Sequence, residues 1–333
     1  MQQVLKDGHE RVHDYMRISV TDRCNLRCTY CMPEEGMPFM PQEQLLTNEE
    51  IIEVARVAAK LGVRKIRLTG GEPLVRPDIE QLVSGIAAIS GIEDLSMTTN
   101  GLLLGNMAER LKRAGLSRVN ISIDSLRPER YAHITRGGNL HKVLQAIERS
   151  LQVGFEPVKL NVVLMKDFNE DEFDDFLRLT LERELSVRFI EYMPIGGRQR
   201  DWKHNYMSLE ERRTASAIGI QAEAIGKPAN GGPAEYYRLP GAKGTFGLIH
   251  PVSDHFCETC NRLRLTADGC LKPCLYWSDE FNIRTYIGDE DKLAEAMLRS
   301  LDHKPISHEM ANELYGQMLS HTPTKRTMSQ IGG

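Results

Sequence analysis

Cys24-Asn25-Leu26-Arg27-Cys28-Thr29-Tyr30-Cys31, followed by Met32-Pro33, places three thiols within eight residues, and the next cysteine is Cys257. A structural metal ion usually closes its shell with four protein ligands, and iron–sulfur clusters are usually held by four cysteine thiolates. Three thiolates point to a four-iron cluster with one iron left open for another ligand. The alternative is a zinc site borrowing a distant fourth ligand, such as His13 or His9. The remaining cysteines, Cys257, Cys260, Cys270 and Cys274, form a second group. With every cysteine at ligand spacing, metal or redox chemistry is expected rather than disulfides. Read as Cys257-x2-Cys260-x13-Cys274, the second group again offers three ligands. With Cys270 it offers four, enough to close a zinc ribbon.

Around the first group, strand and helix signals alternate. Strands are expected over Tyr15–Val20, Lys65–Thr69, Leu95–Thr99, Arg118–Asp124, Val158–Met165 and Val187–Met193. Helices are expected over Asn48–Leu61, Asp78–Ile89, Gly105–Ala114, Leu140–Val153 and Glu170–Leu181. Thr47 with Glu50 three residues on reads as a capping box, and Gly62, Gly115 and Gly154 follow three helices as stops. Six strands joined by crossover helices imply a parallel sheet. Periodicity fits both an incomplete (β/α)6 barrel and a doubly wound sheet. Residues 195–245 read as a connecting segment: loops at Gly196–Arg200 and Lys227–Pro233 flank a short polar helix. Residues 246–333 read as a smaller α+β domain, with a strand over Leu263–Thr266 and a charged helix near Asp291–Leu301.

The 333 residues suit one large or two moderate domains, and 41% hydrophobic content supplies a substantial core. A net charge of −4 argues against broad nucleic-acid binding. The polar N-terminus has no signal-peptide core, and no apolar run approaches the ~20 residues that span a bilayer. A soluble cytoplasmic protein is expected.

Strands of a parallel sheet are buried on both faces and should read as apolar runs. Arg17, Arg67, Lys159 and Arg188 each interrupt one. A buried cation is costly unless paired, and Asp22, Glu72, Asp124 and Glu191 are the nearby acids that would pair it. If instead the four cations converge, they form a pocket for a compact polyanion such as a nucleoside triphosphate. Arg262 and Arg264, at i and i+2, would face the same side and join them. Gly70-Gly71-Glu72-Pro73 ends the second strand, where two glycines let backbone approach a ligand closely.

These stretches together resemble the radical S-adenosylmethionine (SAM) family and, within it, the GTP 3′,8-cyclases that open molybdenum-cofactor biosynthesis. The resemblance is carried by RISVTDR at 17–23 leading into the first triad, RLTGGEPL at 67–74 and TTNG at 98–101. It continues through NISIDS at 120–125, RFIEYMP at 188–194 and CETCNRLR at 257–264. It favours the incomplete (β/α)6 TIM-like barrel and implies two 4Fe-4S clusters with SAM. Cys24, Cys28 and Cys31 would hold the first cluster, and Cys257, Cys260 and Cys274 the second, whose open iron contacts guanine. Cys270 lies outside this ligand set. Tyr30, Gly71, Ser122 and Met193 would line the SAM site. Arg17, Arg67, Thr98, Lys159, Arg188, Arg262, Leu263 and Arg264 would bind GTP, with Arg17 also part of the catalytic centre. Gly332-Gly333 matches a tail that reaches the active site.

The implied reaction is a lyase step. A 5′-deoxyadenosyl radical takes hydrogen from ribose C3′, and the sugar carbon closes on guanine C8 to give (8S)-3′,8-cyclo-7,8-dihydroguanosine 5′-triphosphate. The implied partners are a reductant such as a flavodoxin or ferredoxin, and a cyclic pyranopterin monophosphate synthase downstream. A monomer or homodimer is expected. The alternative is a radical SAM enzyme that modifies a peptide and carries an auxiliary cluster.

Overall fold

The computed structural model describes residues 3–193, 195–196, 202–226 and 232–332. Pro194, Gly197–Arg200, Lys227–Gly231 and Gly333, which belong to motifs and loops expected above, lie outside the described residues.

Six strands pair in parallel and in chain order: β1 (Tyr15–Ser19), β2 (Lys65–Thr69), β3 (Asp94–Thr99), β4 (Arg118–Ser122), β5 (Val158–Leu164) and β6 (Leu185–Glu191). A doubly wound sheet reverses its strand order at a switch point, and this sheet does not. Sequential order with right-handed crossovers puts every connecting helix on one face, which is the winding of a barrel. The helices are α1 (Asn48–Lys60), α2 (Ile79–Ala87), α3 (Leu104–Arg113), α4 (Pro128–Thr135), α5 (Leu140–Gln152) and α6 (Phe173–Glu182). Thr47 and Glu50 form the expected capping box at the start of α1.

The rest of the chain extends both edges of this sheet. On the β6 edge lie β7 (Glu223–Gly226), β8 (Glu235–Arg238) and β9 (Thr245–Ile249); on the β1 edge lie β10 (Arg262–Leu265), β11 (Cys270–Lys272) and β12 (Phe281–Asn282). β9 runs parallel to β6 and β10 parallel to β1, so eight consecutive strands are parallel. Of these six additions only β10 was expected. The other five span two to five residues, and β7 is exposed throughout, so none of them carries a readable alternation. The connecting segment thus holds two strands, as well as helices at Trp202–Asn205 and Leu209–Ala215.

Alternation along the strands sorts the side chains into two environments. Met16, Ile18, Ile66, Leu68, Val119, Leu160 and Phe189 enter the main core, fully buried. Each such burial contributes roughly 1.5–3 kcal/mol. The intervening positions face the concave side of the sheet, and there the apolar pattern breaks.

Candidate active site

Both cysteine triads line one cavity of about 570 Å³ on that concave side. Cys24, Cys28 and Cys31 sit on the loop after β1, at the C-terminal ends of the parallel strands. Cys257 and Cys260 precede β10 and therefore stand at the opposite end. Burial, with the Cys24 sulfur acting in the same direction, pushes the Cys31 thiol up to about 12. Burial raises Cys28 well above its ordinary range, with Cys31 and Cys24 adding to the effect. Burial likewise lifts Cys257 to about 11, assisted by Cys274 and Cys260. Each set is thus three close, desolvated thiols whose anionic forms repel. A polynuclear iron–sulfur group that takes up thiolate charge fits this donor set. Among the described residues, no three Cys, His, Asp or Glu side chains close on a single-ion site. His13 bonds Asp7 at 2.9 Å. Cys270 neighbours Asp268 and Arg326 and does not line the cavity.

Between the triads lie the cations, arranged by the ladder. Register places Arg262, Tyr15 and Lys65 in one row across β10, β1 and β2, and Arg264, Arg17 and Arg67 in the next. Lys65 pairs Asp14, and Arg118 pairs Asp94. The six strand cations expected to bind a polyanion form no carboxylate ion pair among the described residues. Arg67 Nε donates to Ser96 Oγ at 3.3 Å, and Arg188 Nη2 donates to Asn120 Oδ1 at 2.5 Å and Asn161 Oδ1 at 2.6 Å. Lys159 Nζ donates to the Tyr236 hydroxyl at 3.3 Å, and Arg262 lies over the Phe256 ring. The acids that would have neutralised them are engaged elsewhere. Asp22 accepts from the Met40 amide and Glu72 from Leu74, Thr99 and Asn100. Asp124 accepts from Tyr30 and Val163, and Glu191 from Val252 and Ser253.

The electrostatic consequence is large. Burial pulls Arg67 down to about 9, with Arg17 and Arg188 pushing the same way. Burial, reinforced by Arg188 and Arg118, holds Lys159 at about 6. Burial raises the Tyr15 phenol, but Arg67 and Arg17 outweigh it and bring it to about 8. Arg17 Nε, Arg188 Nε and Thr98 Oγ1 are buried with no hydrogen-bond partner among the described residues. Buried polar groups are rarely left unsatisfied, so these atoms describe a site shaped for an anionic, hydrogen-bonding ligand.

Tyr30, Gly71, Ser122 and Met193 gather at the end of the cavity near Cys24, Cys28 and Cys31. Tyr30 donates to Asp124 at 2.7 Å, and burial lifts that carboxyl to about 6. The glycine pair has a steric reason the sequence did not disclose. A Cβ on Gly70 would lie 2.3 Å from the Thr21 carbonyl oxygen, and one on Gly71 would lie 2.4 Å from that of Arg23. The close approach is to the segment after β1 that leads into the cysteines, whose Thr21 and Arg23 carbonyls accept from the Gly71 and Glu72 amides at 2.9 and 2.8 Å.

At the far end, burial pushes the Cys260 thiol up, but Lys304 and Arg262 outweigh it and hold it at about 7. Arg264 Nη1 donates to the Gly332 carbonyl at 2.6 Å, which brings the C-terminal tail against Thr69 and Gly70.

Every site residue expected from the sequence lines the cavity except Leu263. Leu263 is fully buried in the main core, because alternation turns its side chain away from Arg262 and Arg264 and leaves only its backbone near the cavity. Tyr15, Lys65, Arg118, Asn161 and Tyr236 also line the cavity and were missed. The period of two carried the signal for four of them. Tyr15 and Lys65 precede Arg17 and Arg67 by two, Asn161 follows Lys159 by two, and Arg118 starts the same face of β4.

The chain matches the Radical SAM superfamily over residues 18–180 and Molybdenum Cofactor Synthesis C over residues 185–310. Its fold is similar to Streptococcus suis SuiB bound to S-adenosylmethionine, with a TM-score of 0.60 at 14% identity, covering 92% of this chain and 69% of that one. The fold and the matched regions make it a radical SAM enzyme. It is 54% identical over 332 residues to the GTP 3′,8-cyclase of Listeria welshimeri, covering 99% of this chain and 100% of the relative. It is 49% identical over 330 residues to that of Limosilactobacillus fermentum, covering 99% of each. The chain belongs to the GTP 3′,8-cyclase family.

Proposed function

We propose that this protein converts GTP to (8S)-3′,8-cyclo-7,8-dihydroguanosine 5′-triphosphate, using two 4Fe-4S clusters and SAM, as the first step of molybdenum-cofactor biosynthesis. The observation that carries the substrate is the set of six strand cations without carboxylate partners, lying between two thiol triads in one cavity. A peptide could match these charges only with several acidic side chains, whereas a triphosphate brings its negative charge in one compact group.

Cys24, Cys28 and Cys31 hold the first cluster, with SAM against Tyr30, Gly71, Ser122 and Met193. Cys257, Cys260 and Cys274 hold the second. When bound, the first cluster and SAM supply the one-electron chemistry that removes hydrogen from ribose C3′. Arg17, Arg67, Lys159, Arg188, Arg262 and Arg264 hold the triphosphate by charge-assisted hydrogen bonds, and Thr98 Oγ1 gives a further contact. Anchoring GTP at both ends orients C3′ toward the SAM side of the cavity and guanine toward the second triad, the positioning on which ring closure depends. The buried walls keep water from the reacting carbon.

No helix among the described residues is long and apolar enough to cross a membrane. A cytoplasmic enzyme, served by a flavodoxin- or ferredoxin-like reductant and feeding a cyclic pyranopterin monophosphate synthase, fits this reading. Anaerobic purification followed by metal analysis and a GTP turnover assay tests it. About eight irons per chain and a SAM-dependent cyclic nucleotide product are expected. Four irons with one zinc would replace the second cluster by a ribbon and overturn the reading.

A further inference from the structure

Lys304 follows the helix Glu290–Ser300 and is 5% exposed. Its ammonium donates to Cys260 Sγ at 3.6 Å, to the Arg262 carbonyl at 2.9 Å and to the Pro273 carbonyl at 2.5 Å. Arg262 opens β10 just after Cys260, and Pro273 immediately precedes Cys274, so one nitrogen ties the two ligand-bearing loops together. The Cys257 end of the first loop is also tied, from the N-terminal segment. Arg11 Nη1 donates to the Cys257 carbonyl at 2.8 Å and to the Ile306 carbonyl at 2.9 Å, and Arg11 Nη2 donates to the Pro305 carbonyl at 2.7 Å.

Among the described residues Lys304 forms no ion pair with a carboxylate. Asp7 acts on its charge from a distance, less strongly than Cys260 and Cys274, and is itself occupied by Arg11 at 2.7 Å and His13 at 2.9 Å. A buried ammonium persists only where something negative offsets its lost hydration. The groups it faces are the sulfurs of the second triad.

We propose that Lys304 is the positioning and charge partner of the second thiol triad, and that its N–H···S bond to Cys260 raises the reduction potential of a cluster held there. The inference rests on the assignment of Cys257, Cys260 and Cys274 as cluster ligands. Hydrogen bonds to sulfur and local positive charge stabilise the more negative, reduced cluster, and second-shell donors fix their ligands in place. The two carbonyl bonds hold the Cys260 and Cys274 loops at fixed separation, so losing Lys304 also loosens the site.

The test uses the full chain, purified anaerobically, as wild type and as K304R, K304Q and K304M. Iron per chain, resistance of that iron to a chelator and the EPR-monitored midpoint of the second cluster are measured. K304R keeps the charge and should keep iron and midpoint near those of wild type. K304Q and K304M should move the midpoint negative by about 59 mV, a tenfold change for one electron, and release iron from the second site several-fold faster. The first cluster's signal and uncoupled SAM cleavage should not change, which separates the effect from misfolding. K304M, a neutral chain of similar length, carries the comparison where K304Q yields no folded protein. An unshifted midpoint in a neutral variant, or a shift in K304R as large as in K304M, overturns the proposal. A wild-type chain with only about four irons removes the cluster assignment itself, before any variant is compared.

Discussion

Arg17 and Arg264 are register partners across the parallel β1–β10 ladder, with no carboxylate ion pair to either among the described residues. Arg67 is the partner of Arg17 on the other side, so three guanidinium groups share one row. The fold stores repulsion here, which a triphosphate held as proposed would relieve.

Replacing Arg17 or Arg264 with Met should therefore have two opposite effects. GTP affinity should fall roughly ten- to a hundredfold, since a charge-assisted hydrogen bond is worth ~1.5–3 kcal/mol. Melting of the ligand-free protein should be unchanged or shifted upward, because like charges leave a buried row. Calorimetry with GTP and guanosine checks the assignment: the loss should be much smaller for guanosine, which carries no phosphates. Equal losses for the two ligands would show that these cations do not contact the triphosphate.

Lys159, held at about 6 by burial and by Arg188, is mostly neutral at pH 7.5 in the ligand-free protein. A triphosphate beside it raises that value, so GTP binding should take up a proton, and affinity should fall as pH rises above about 6. The stability effect has the opposite slope. The folded value lies below the unfolded one of about 10.4, so the unfolded chain binds more protons between these limits. The contribution of Lys159 to ligand-free stability thus improves as pH rises through that window. Titrations in buffers of different ionisation enthalpy measure the uptake, and Lys159→Met should remove its share. Binding enthalpies that do not vary with buffer would sink the idea.

The sequence exposed this site because it broke a rule. Arg17, Arg67, Lys159 and Arg188 stand out against strands that should be apolar, and the period of two then implicates their neighbours at i±2. What stayed hidden depends on pairing between distant segments. β9 is a short strand that adds to the edge β6 offers, and β8 adds in turn to β9, so neither needs a strong pattern of its own. The reason for Gly70 and Gly71 lies in the Thr21 and Arg23 carbonyls, and Lys304 meets Cys260 only after the chain has folded. Local composition records none of these contacts.

Cys24→Ala should abolish SAM cleavage, whereas Cys257→Ala should spare much of it and lose cyclisation. The two triads stand at opposite ends of the cavity, and Tyr30, Gly71, Ser122 and Met193 gather only at the first. Uncoupled 5′-deoxyadenosine, measured beside iron content, separates the roles. An equal loss in both variants would contradict the division of labour.

Cys270→Ser should retain about eight irons and near-normal turnover. Its buried thiol sits 3.6 Å from Arg326 Nη2 and 4.0 Å from Asp268 Oδ2, away from the cavity. Arg326 is already held by Asp268 and Glu280, so a hydroxyl can replace the sulfur as a weak acceptor. Loss of four irons in this variant would make Cys270 a ligand.

Gly332 gives the most local test of the tail. Its φ is +83°, and a Cβ there would lie 2.5 Å from Thr69 Cγ2 and 3.2 Å from Ser19 Cβ. Its carbonyl is the acceptor for Arg264, so moving the tail also releases a guanidinium into the cavity. Gly332→Ala should displace the tail, lowering cyclisation at least tenfold while iron content and SAM cleavage persist, because both triads are held by other contacts. Two causes of the defect can be separated. Thr69→Ser removes Cγ2 and relieves the collision, but leaves the left-handed backbone cost of roughly 1–2 kcal/mol. The double variant should therefore recover part of the activity and not all of it. Full activity in Gly332→Ala alone would mean that the tail does not occupy this position during turnover.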